Sequence, residues 1–357
     1  MELISLSYTA LRPKTAGKIE SYLALSAQNH LTLGLYREGK CYVFGDPEEE
    51  NRLRYDIGSV SKTVTAHLIL KLQREGKLNI DHTIDRYLTL KKGNYPTIYQ
   101  LLTHTAGYHH LTPVEVTLPR LLLHGYARKN PYESCTAKTV ITCLERRRFW
   151  RPRVRYGYSD FATAILAVLA ESVTKTPFSE LFEDFIRADL GLGDTTLVED
   201  PQTRHPPAAK GKKALPFWVW NRNNPYLAAG GMVSGIGDVL SYVALQIESD
   251  RPFITDAHTL CPESARRKDN HRMCIGWHTY KASNQLWHVG GVGTFRSSII
   301  LNKKRKLGVV VLGNAKGKAS ANAHYIAKML YSELKNKRIR LQNSPKPIDD
   351  AGCTVLK

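Results

Sequence analysis

The sequence predicts an α/β (α+β) fold, in which an antiparallel sheet flanked by helices is interrupted by an all-helical insert. Near both ends of the chain, apolar and polar residues alternate as they do in strands. Between residues 81 and 204 the apolar residues instead recur mostly every three or four positions, as they do in helices. Because one sheet must then draw on both ends, we predict an α/β domain made of 1–80 plus 205–340, an all-helical domain at 81–204 and a polar tail at 341–357.

The N-terminal part is predicted to supply a helix, a β-hairpin and a second helix. The first helix lies near residues 13–29. Two alternating runs follow, 30–36 and 40–44, and the three residues between them are typical of a hairpin turn. The second helix begins after Gly58 and ends near Gly76, because glycine is common just beyond the end of a helix.

The rest of the chain is predicted to be helical first and to return to strands near its end. Residues 205–225, which are rich in proline and lysine, are predicted to be a loop or a domain boundary. Helices are predicted at 97–103, 114–124, 137–146, 160–172, 177–188, 237–247 and 320–335. Strands are predicted at 285–289, 294–301 and 307–312.

The composition is that of an ordinary soluble globular protein. Of 357 residues, 42% are hydrophobic and 23% charged, and no apolar run approaches the ~20 residues that a membrane span needs. We therefore expect no transmembrane segment. The first residues lack the basic and apolar regions of a secretory signal, which favours a cytoplasmic location.

Neither the cysteines nor any short motif indicates a cofactor. The six cysteines are scattered without a C-x-x-C pair, so we expect reduced, partly buried thiols rather than a disulfide framework. The sequence has no H-E-x-x-H, no P-loop and no G-x-G-x-x-G after a strand. We therefore expect no metal and no nucleotide cofactor.

The chain is strongly basic, with 51 Lys and Arg against 32 Asp and Glu and a formal net charge of +19. Such a charge attracts anionic partners, from nucleic acids to phospholipid surfaces and carboxylate substrates. The basic residues are spread in short clusters, and no helix-turn-helix, zinc-finger or aromatic RNA-binding signature accompanies them. We therefore expect a solvated basic surface and no specific nucleic-acid partner.

Ser59 and Lys62 form a Ser-x-x-Lys pattern at the start of the helix that follows Gly58. Residues three apart lie on one helix face, so the hydroxyl and the amine are expected to be neighbours. Ser59 would also lie at the positive end of the helix dipole. A serine becomes a good nucleophile when a nearby base takes its proton, and a lysine with a lowered pKa can be that base. Taken alone, this pattern more often marks the start of an ordinary helix.

Two further stretches give the pattern its meaning. They are Tyr156-Gly157-Tyr158-Ser159-Asp160, which opens a predicted helix, and Trp287-His288-Val289-Gly290-Gly291, which lies on a predicted strand. In order and approximate spacing, the three motifs resemble those of the serine β-lactamase and penicillin-binding-protein superfamily. The likeness is greatest to its class C β-lactamase and D-aminopeptidase/esterase branch, where the second motif is Tyr-x-Asn. Residues 101–107 and 229–234 resemble further stretches of that branch. The resemblance implies a β-lactamase/transpeptidase-like fold.

The resemblance also implies catalytic roles. Ser59 would attack a carbonyl and form an acyl-enzyme, and Lys62 would take or relay the proton. Tyr158, with a pKa lowered by the nearby ammonium, would be the general base for acylation and the acid toward the leaving group. The backbone N–H groups of Ser59 and Gly291 would form the oxyanion hole.

Substrate binding would fall to Asp160, His288 and Gly290. Glycine in the third motif lets a substrate approach the strand, and protonated His288 would bind a substrate carboxylate. His104 is assigned a structural role, since no pattern places it near Ser59. Standing alone, Tyr158 and His288 would each be more often packing residues.

Asp160 departs from the Tyr-x-Asn pattern of that branch. A carboxylate only accepts hydrogen bonds, and its charge raises the pKa of a neighbouring lysine and weakens it as a base. Asp160 would also repel anionic substrate edges, which argues against efficient cephalosporin hydrolysis.

We interpret the chain as a serine hydrolase that uses a Ser59 acyl-enzyme on an amide or ester, such as a D-amino-acid peptide, a small ester or a β-lactam. One alternative is a catalytically weak protein that binds penicillin or peptidoglycan. Another is an interaction protein that uses its basic surface. The oligomeric state is not predictable from these patterns.

Overall fold

A computed structural model gives the fold. It describes residues 2–24, 30–126, 128–148, 156–197, 209–210, 213–214, 216–263, 270–280, 283–314 and 322–335. The described helices are α1 (Pro13–Leu23), α2 (Pro47–Arg52), α3 (Ser61–Arg74), α4 (Ile98–Leu102), α5 (Val114–His124), α6 (Ala137–Arg146), α7 (Asp160–Thr174), α8 (Phe178–Asp184), α9 (Leu227–Gly230), α10 (Ile236–Glu248), α11 (Pro252–Thr259) and α12 (Asn322–Leu334).

The strands belong to one large sheet and two short pairs. The strands are β1 (Leu3–Leu6), β2 (His30–Arg37), β3 (Lys40–Phe44), β4 (Tyr55–Asp56), β5 (Ala209–Lys210), β6 (Lys213–Ala214), β7 (Val233–Ser234), β8 (His271–Met273), β9 (His278–Tyr280), β10 (Leu286–Val292), β11 (Phe295–Asn302) and β12 (Leu307–Asn314). The large sheet has the order β1-β3-β2-β12-β11-β10-β9-β8, and every neighbouring pair in it is antiparallel except β1 and β3. Strand β4 pairs with β7, and β5 with β6.

The sheet is covered by helices on both faces, which explains why its central strand is apolar throughout. In β12, Val310 and Leu312 belong to the buried cluster that includes residues of α10. Val309 and Val311, which alternate with them, belong to the cluster formed with α1 and α12. Successive side chains of a strand point to opposite faces, so a strand that is buried on both faces carries an uninterrupted apolar run.

Helices α4 to α8 occupy the part of the chain predicted to be an all-helical insert, and a π-helical turn, Phe185–Asp189, follows α8. Their buried residues, such as Leu101 and Ile165, belong to the same apolar cluster as Val310 of the sheet. The core therefore continues from the sheet into the helical region. The division of the chain into two domains and a tail stays a prediction.

The predicted α/β fold is confirmed, with changes in detail. The predicted hairpin is β2 and β3, and the three C-terminal strand predictions correspond to β10, β11 and β12. The predictions omitted β1, β4, β7, β8, β9, α2, α9 and α11, and the short strands β5 and β6 lie in the stretch predicted to be a loop or a boundary. The predicted tail lies outside the described residues, as does Cys353.

The expectation of reduced thiols is wrong for one pair of cysteines. Cys261 and Cys274 form a disulfide, whereas Cys41, Cys135 and Cys143 are free and buried. Burial raises the pKa of the Cys41 thiol to about 11. Among the described helices, none combines the length and the apolar character that crossing a bilayer requires. The cytoplasmic location stays a prediction.

Candidate active site

Ser59 lies in a short turn between β4 and α3. Gly58 begins this 3-10 turn with a φ of +54°, a conformation that favours glycine. A Cβ atom at Gly58 would also stand only 2.5 Å from the backbone nitrogen of Gly291, so glycine lets β10 pass beside the turn. Ser59 is half-buried and reaches a cavity, whereas both neighbours of Ser59 are buried.

Lys62, one turn into the helical segment, places its ammonium beneath the Ser59 hydroxyl. Lys62 Nζ donates to Ser59 Oγ at 3.0 Å and to the carbonyl of Ala229 at 2.7 Å. It also forms an ion pair with Asp160, with 2.6 Å between Nζ and Oδ1. The predicted proximity of the Ser59 and Lys62 side chains is present in this geometry.

Tyr158 approaches the same hydroxyl from the other side. Its phenol lies beside the Ser59 hydroxyl, and Lys62 Nζ lies 5.1 Å from the centre of its ring. Burial raises the pKa of Tyr158 well above 10, and the negative charge of Asp160 raises it further. The expectation of a lowered pKa is therefore wrong, because these two effects outweigh the lowering effect of the Ser59 side chain. Tyr158 is a neutral phenol at physiological pH.

Lys62 and Asp160 form a buried ion pair at the base of the site. Burial lowers the pKa of Lys62 below its usual 10.5, and the Asp160 carboxylate acts in the opposite direction. Burial alone would raise the pKa of Asp160, but Lys62 and His110 lower it below the usual value. Tyr132 also donates to Asp160 Oδ2 at 2.8 Å. Asp160 is thus ionised, and it favours the protonated form of Lys62.

Strand β10 runs past Ser59 with two glycines at the closest point. A Cβ at Gly290 would lie 1.9 Å from the carbonyl oxygen of Ile57 and 2.4 Å from Ser297 Oγ, so no other residue fits there without moving the strand. Ser297 Oγ donates to that Ile57 carbonyl at 2.7 Å. Tyr126 donates its hydroxyl to the carbonyl of Gly291 at 2.7 Å. These bonds fix the strand beside the nucleophile turn.

His288 does not take the position expected of a charged carboxylate ligand. Its side chain is fully buried, and its Nδ1 contacts the Val289 carbonyl at 2.9 Å. Burial, reinforced by the positive charge of Lys62, lowers the pKa of His288 to about 3. His288 is therefore a neutral residue behind the cavity wall.

His104 lies nearer to the site than its assigned structural role implied. Its ring centre is 4.6 Å from that of Tyr158, and its Nδ1 accepts a hydrogen bond from the Ser159 N–H at 3.3 Å. The His104 carbonyl also accepts the Gly157 N–H at 2.8 Å. The left-handed φ of +53° at His104 turns the chain toward the Tyr158 loop, and no simple sequence pattern signals this. His104 thus supports the position of Tyr158.

The site opens into a cavity of about 630 Å³. Ser59, Tyr158, Asp160, Gly290 and Gly291 all contribute to its lining. Much of the remaining wall is aromatic and includes Tyr126, Tyr156, Trp218, Trp220 and Trp287. In the described part of the chain, no group of three His, Cys, Asp or Glu side chains is placed to hold a metal ion.

Several known proteins resemble this chain in sequence. The most similar curated proteins include protein flp of Staphylococcus aureus strain MW2, 23% identical over 298 residues that make up 78% of this chain and 55% of that protein. A β-lactamase of Providencia stuartii is 25% identical over 207 residues, which are 56% of this chain and 48% of that protein. The chain thus spans about half the length of the curated relatives it matches.

Solved structures agree on the fold. The octameric penicillin-binding protein homologue from Pyrococcus abyssi superposes with a TM-score of 0.71 at 22% identity, over 89% of this chain and 76% of that one. A class C β-lactamase gives a TM-score of 0.73 at 15% identity, over 91% and 96%. A D-stereospecific amidohydrolase from Streptomyces sp. gives 0.63 at 21% identity, over 88% and 99%. The family model described as β-lactamase matches residues 32–331, and the chain therefore belongs to the β-lactamase family.

Proposed function

We propose that the protein is a serine hydrolase that acts through a Ser59 acyl-enzyme on an amide or ester, such as a D-amino-acid peptide, a small ester or a β-lactam. One observation carries this proposal: the Ser59 hydroxyl, at the edge of a cavity, accepts a hydrogen bond from Lys62 and has the Tyr158 phenol beside it. A serine flanked by a potential base and a potential acid has the two proton-transfer partners that acyl transfer needs.

In this proposal, acylation begins from the small fraction of molecules in which Lys62 is neutral. Lys62 takes the Ser59 proton as Oγ forms its bond to the substrate carbonyl carbon. The N–H groups of Ser59 and Gly291 stabilise the negative charge that develops on the carbonyl oxygen. The bond to the leaving group then breaks, Tyr158 donates its proton to that group, and Lys62 returns a proton to Tyr158. Water completes hydrolysis by the same steps in reverse, with Tyr158 and Lys62 moving the protons.

The substrate would lie along β10. Gly290 and Gly291 of this strand both line the cavity beside Ser59. Asp160 lines the cavity and would accept a hydrogen bond from an N–H or an ammonium group of the substrate. The aromatic wall would contact apolar parts of the substrate. His288 would act on the site only from behind the wall, as a neutral ring.

A second candidate is a catalytically weak penicillin-binding or peptidoglycan-binding protein. The 2.6 Å ion pair of Lys62 with Asp160 favours it, because a fully charged Lys62 cannot accept the Ser59 proton. Such a protein would be acylated slowly and would keep its acyl group.

Intact mass spectrometry separates these candidates. The protein would be exposed to a panel of β-lactams, activated esters and D-amino-acid amides, beside Ser59→Ala and the matched control Ser21→Ala, which changes an exposed serine of α1. A hydrolase gives adducts that appear and decay in the parent and in Ser21→Ala but are absent from Ser59→Ala. Persistent adducts with the same dependence identify the binding protein. Adducts that survive in Ser59→Ala would contradict both candidates.

A further inference from the structure

Helix α5 carries much of the exposed apolar surface of this protein. Among the described residues six large apolar side chains are exposed, and three of them, Leu118, Leu122 and Leu123, belong to this helix. Leu122 and Leu123 are 76% and 78% exposed. At 3.6 residues per turn, the three leucines and the exposed Pro119 face one side of the helix. A continuous stripe of exposed apolar side chains is typical of an interaction surface.

This stripe lies beside the cavity that contains Ser59. Tyr126, two residues beyond the end of α5, lines the cavity. Trp218, another lining residue, donates its Nε1–H to the carbonyl of Tyr126 at 2.9 Å. The next residue, Val219, is also exposed, and its carbonyl accepts a hydrogen bond from Asn130 at 3.0 Å. These bonds hold Val219 next to the segment that follows α5. We call the three leucines of α5 and Val219 the rim patch.

Cations outnumber carboxylates around the rim patch. Glu133 is shared by two cations, Arg120 at 2.8 Å and Lys129 at 3.6 Å. Arg128 is exposed and forms no ion pair with another described residue. The single carboxylate of α5 is paired with a cation at the end of α6, with 3.6 Å between the charged atoms. The formal charge of the whole chain, +19, has the same sign.

This combination of charge and apolar surface fits a lipid bilayer better than a second copy of the chain. In a two-fold symmetric contact, the rim patch of one copy would face that of the other, and their excess cations would repel each other. A bilayer with anionic phospholipids presents the opposite charge at its surface. It also offers an apolar region directly below the headgroups, which short side chains can reach.

We infer that the rim patch binds this protein to bilayers that contain anionic phospholipids, with α5 lying in the plane of the membrane surface. The leucines enter the boundary between headgroups and acyl chains, as in other amphipathic helices that bind membranes. Arg120, Arg128 and Lys129 keep their charged ends at the level of the lipid phosphates. The cavity then opens close to the membrane surface. This binding is separate from the proposed hydrolase function and does not require acylation of Ser59.

Vesicle sedimentation of the full chain tests the inference. The vesicles are phosphatidylcholine alone or an equimolar mixture of phosphatidylcholine and phosphatidylglycerol. The test variant is Leu122→Asn/Leu123→Asn, which removes two apolar side chains of the rim patch. The matched control is Leu260→Asn/Tyr325→Asn, which removes two exposed apolar side chains at the end of α11 and on α12.

We expect the parent and the control variant to bind the mixed vesicles at least about tenfold more tightly than vesicles of phosphatidylcholine alone. Leu122→Asn/Leu123→Asn should lower the partition coefficient on mixed vesicles at least about tenfold, because two apolar anchors are lost. Its melting temperature should equal that of the parent, since both side chains are exposed. Arg128→Gln should weaken binding to mixed vesicles and leave binding to phosphatidylcholine unchanged.

Several results would overturn the inference. They are equal binding of the parent to both kinds of vesicle, no effect of the leucine substitutions on mixed vesicles, and equal losses in the test and control variants. The second of these would mean that net charge alone attracts the protein to the vesicles. Sedimentation velocity adds one more: a parent dimer that Leu122→Asn/Leu123→Asn converts to a monomer would assign the rim patch to a second copy instead.

Discussion

Replacing Asp160 by asparagine would remove the negative charge beside Lys62 while keeping the size of the side chain. Lys62 Nζ and Asp160 Oδ1 are 2.6 Å apart, and both side chains are almost completely buried. Burial lowers the pKa of Lys62 and the carboxylate opposes this effect, so loss of the carboxylate should lower the pKa of Lys62 further. More of the protein would then carry the neutral amine that the proposed acylation needs.

The size of the effect follows from the geometry of this pair. At an effective dielectric constant of about 20, two unit charges 2.6 Å apart attract each other by roughly 6 kcal/mol. The asparagine carbonyl still accepts a hydrogen bond, and neighbouring dipoles respond, so only part of this energy acts on the proton. Even about a quarter of it is a tenfold change in the neutral fraction of Lys62. We therefore expect Asp160→Asn to accelerate acylation at least about tenfold at pH 7, and to increase β-lactam turnover.

The assay is the acylation rate as a function of pH, measured with an activated ester and with a β-lactam. In the parent, the rate should rise toward alkaline pH as Lys62 loses its proton, and in Asp160→Asn this rise should occur at lower pH. Asp250→Asn is the control, because Asp250 is exposed and the charge change is the same. If a folded Asp160→Asn were slower at every pH, the carboxylate would be taking part in proton transfer, and the reasoning would be refuted.

Two further changes test the packing that surrounds the site. Gly290→Ala should lower the acylation rate at least about a hundredfold and lower the melting temperature, because its methyl group would overlap the Ile57 carbonyl. Gly193→Ala, where a Cβ meets nothing within 4 Å, should leave the acylation rate and the melting temperature unchanged. Equal effects of the two substitutions would refute the packing argument. Leu312→Ala, in the fully buried centre of β12, should cost about 2–5 kcal/mol of unfolding free energy in denaturant titration. Leu122→Ala, at a 76% exposed position, should cost less than about 0.5 kcal/mol, and a similar loss in both would contradict the assigned core.

Strong local patterns made much of the fold predictable from the sequence. The alternating runs of β2 and β3 and the continuous apolar run of β12 depend on local geometry, and both occur where predicted. The omitted strands are short: β1 has four residues, β8 and β9 have three each, and β4 and β7 have two each. Segments of that length hold too few residues for a period to be recognised, and their pairing depends on partners elsewhere in the chain.

In the candidate site, too, contacts between residues close in sequence were predictable, whereas effects that depend on distant parts of the chain were not. Ser59 and Lys62 are three residues apart in one helical segment, so their proximity was predictable. The pKa of Tyr158 was predicted in the wrong direction, because its burial and the charge of Asp160 depend on the assembled structure. Arg296, which lines the cavity from β11 opposite Gly291, gave no sequence signal, since its position depends on the pairing of the two strands.

The disulfide gave no sequence signal either. Cys261 and Cys274 are 13 residues apart and belong to no recognised spacing motif. Cys261 follows α11 and Cys274 follows β8, so their pairing depends on how these two elements are placed, which is a property of the fold rather than of the local sequence.

The close passage of β10 over the Gly58 turn has a practical consequence. The candidate nucleophile Ser59 and the strand beside it lie far apart in the sequence, and the backbone of the Gly58 turn directly approaches the backbone of Gly290 and Gly291. A partly folded molecule, or a fragment that lacks the C-terminal strands, therefore contains the serine but not its surroundings. A covalent serine reagent would label only molecules in which β10 is packed beside the Gly58 turn. The labelled fraction of a preparation would therefore measure its fraction of correctly folded molecules.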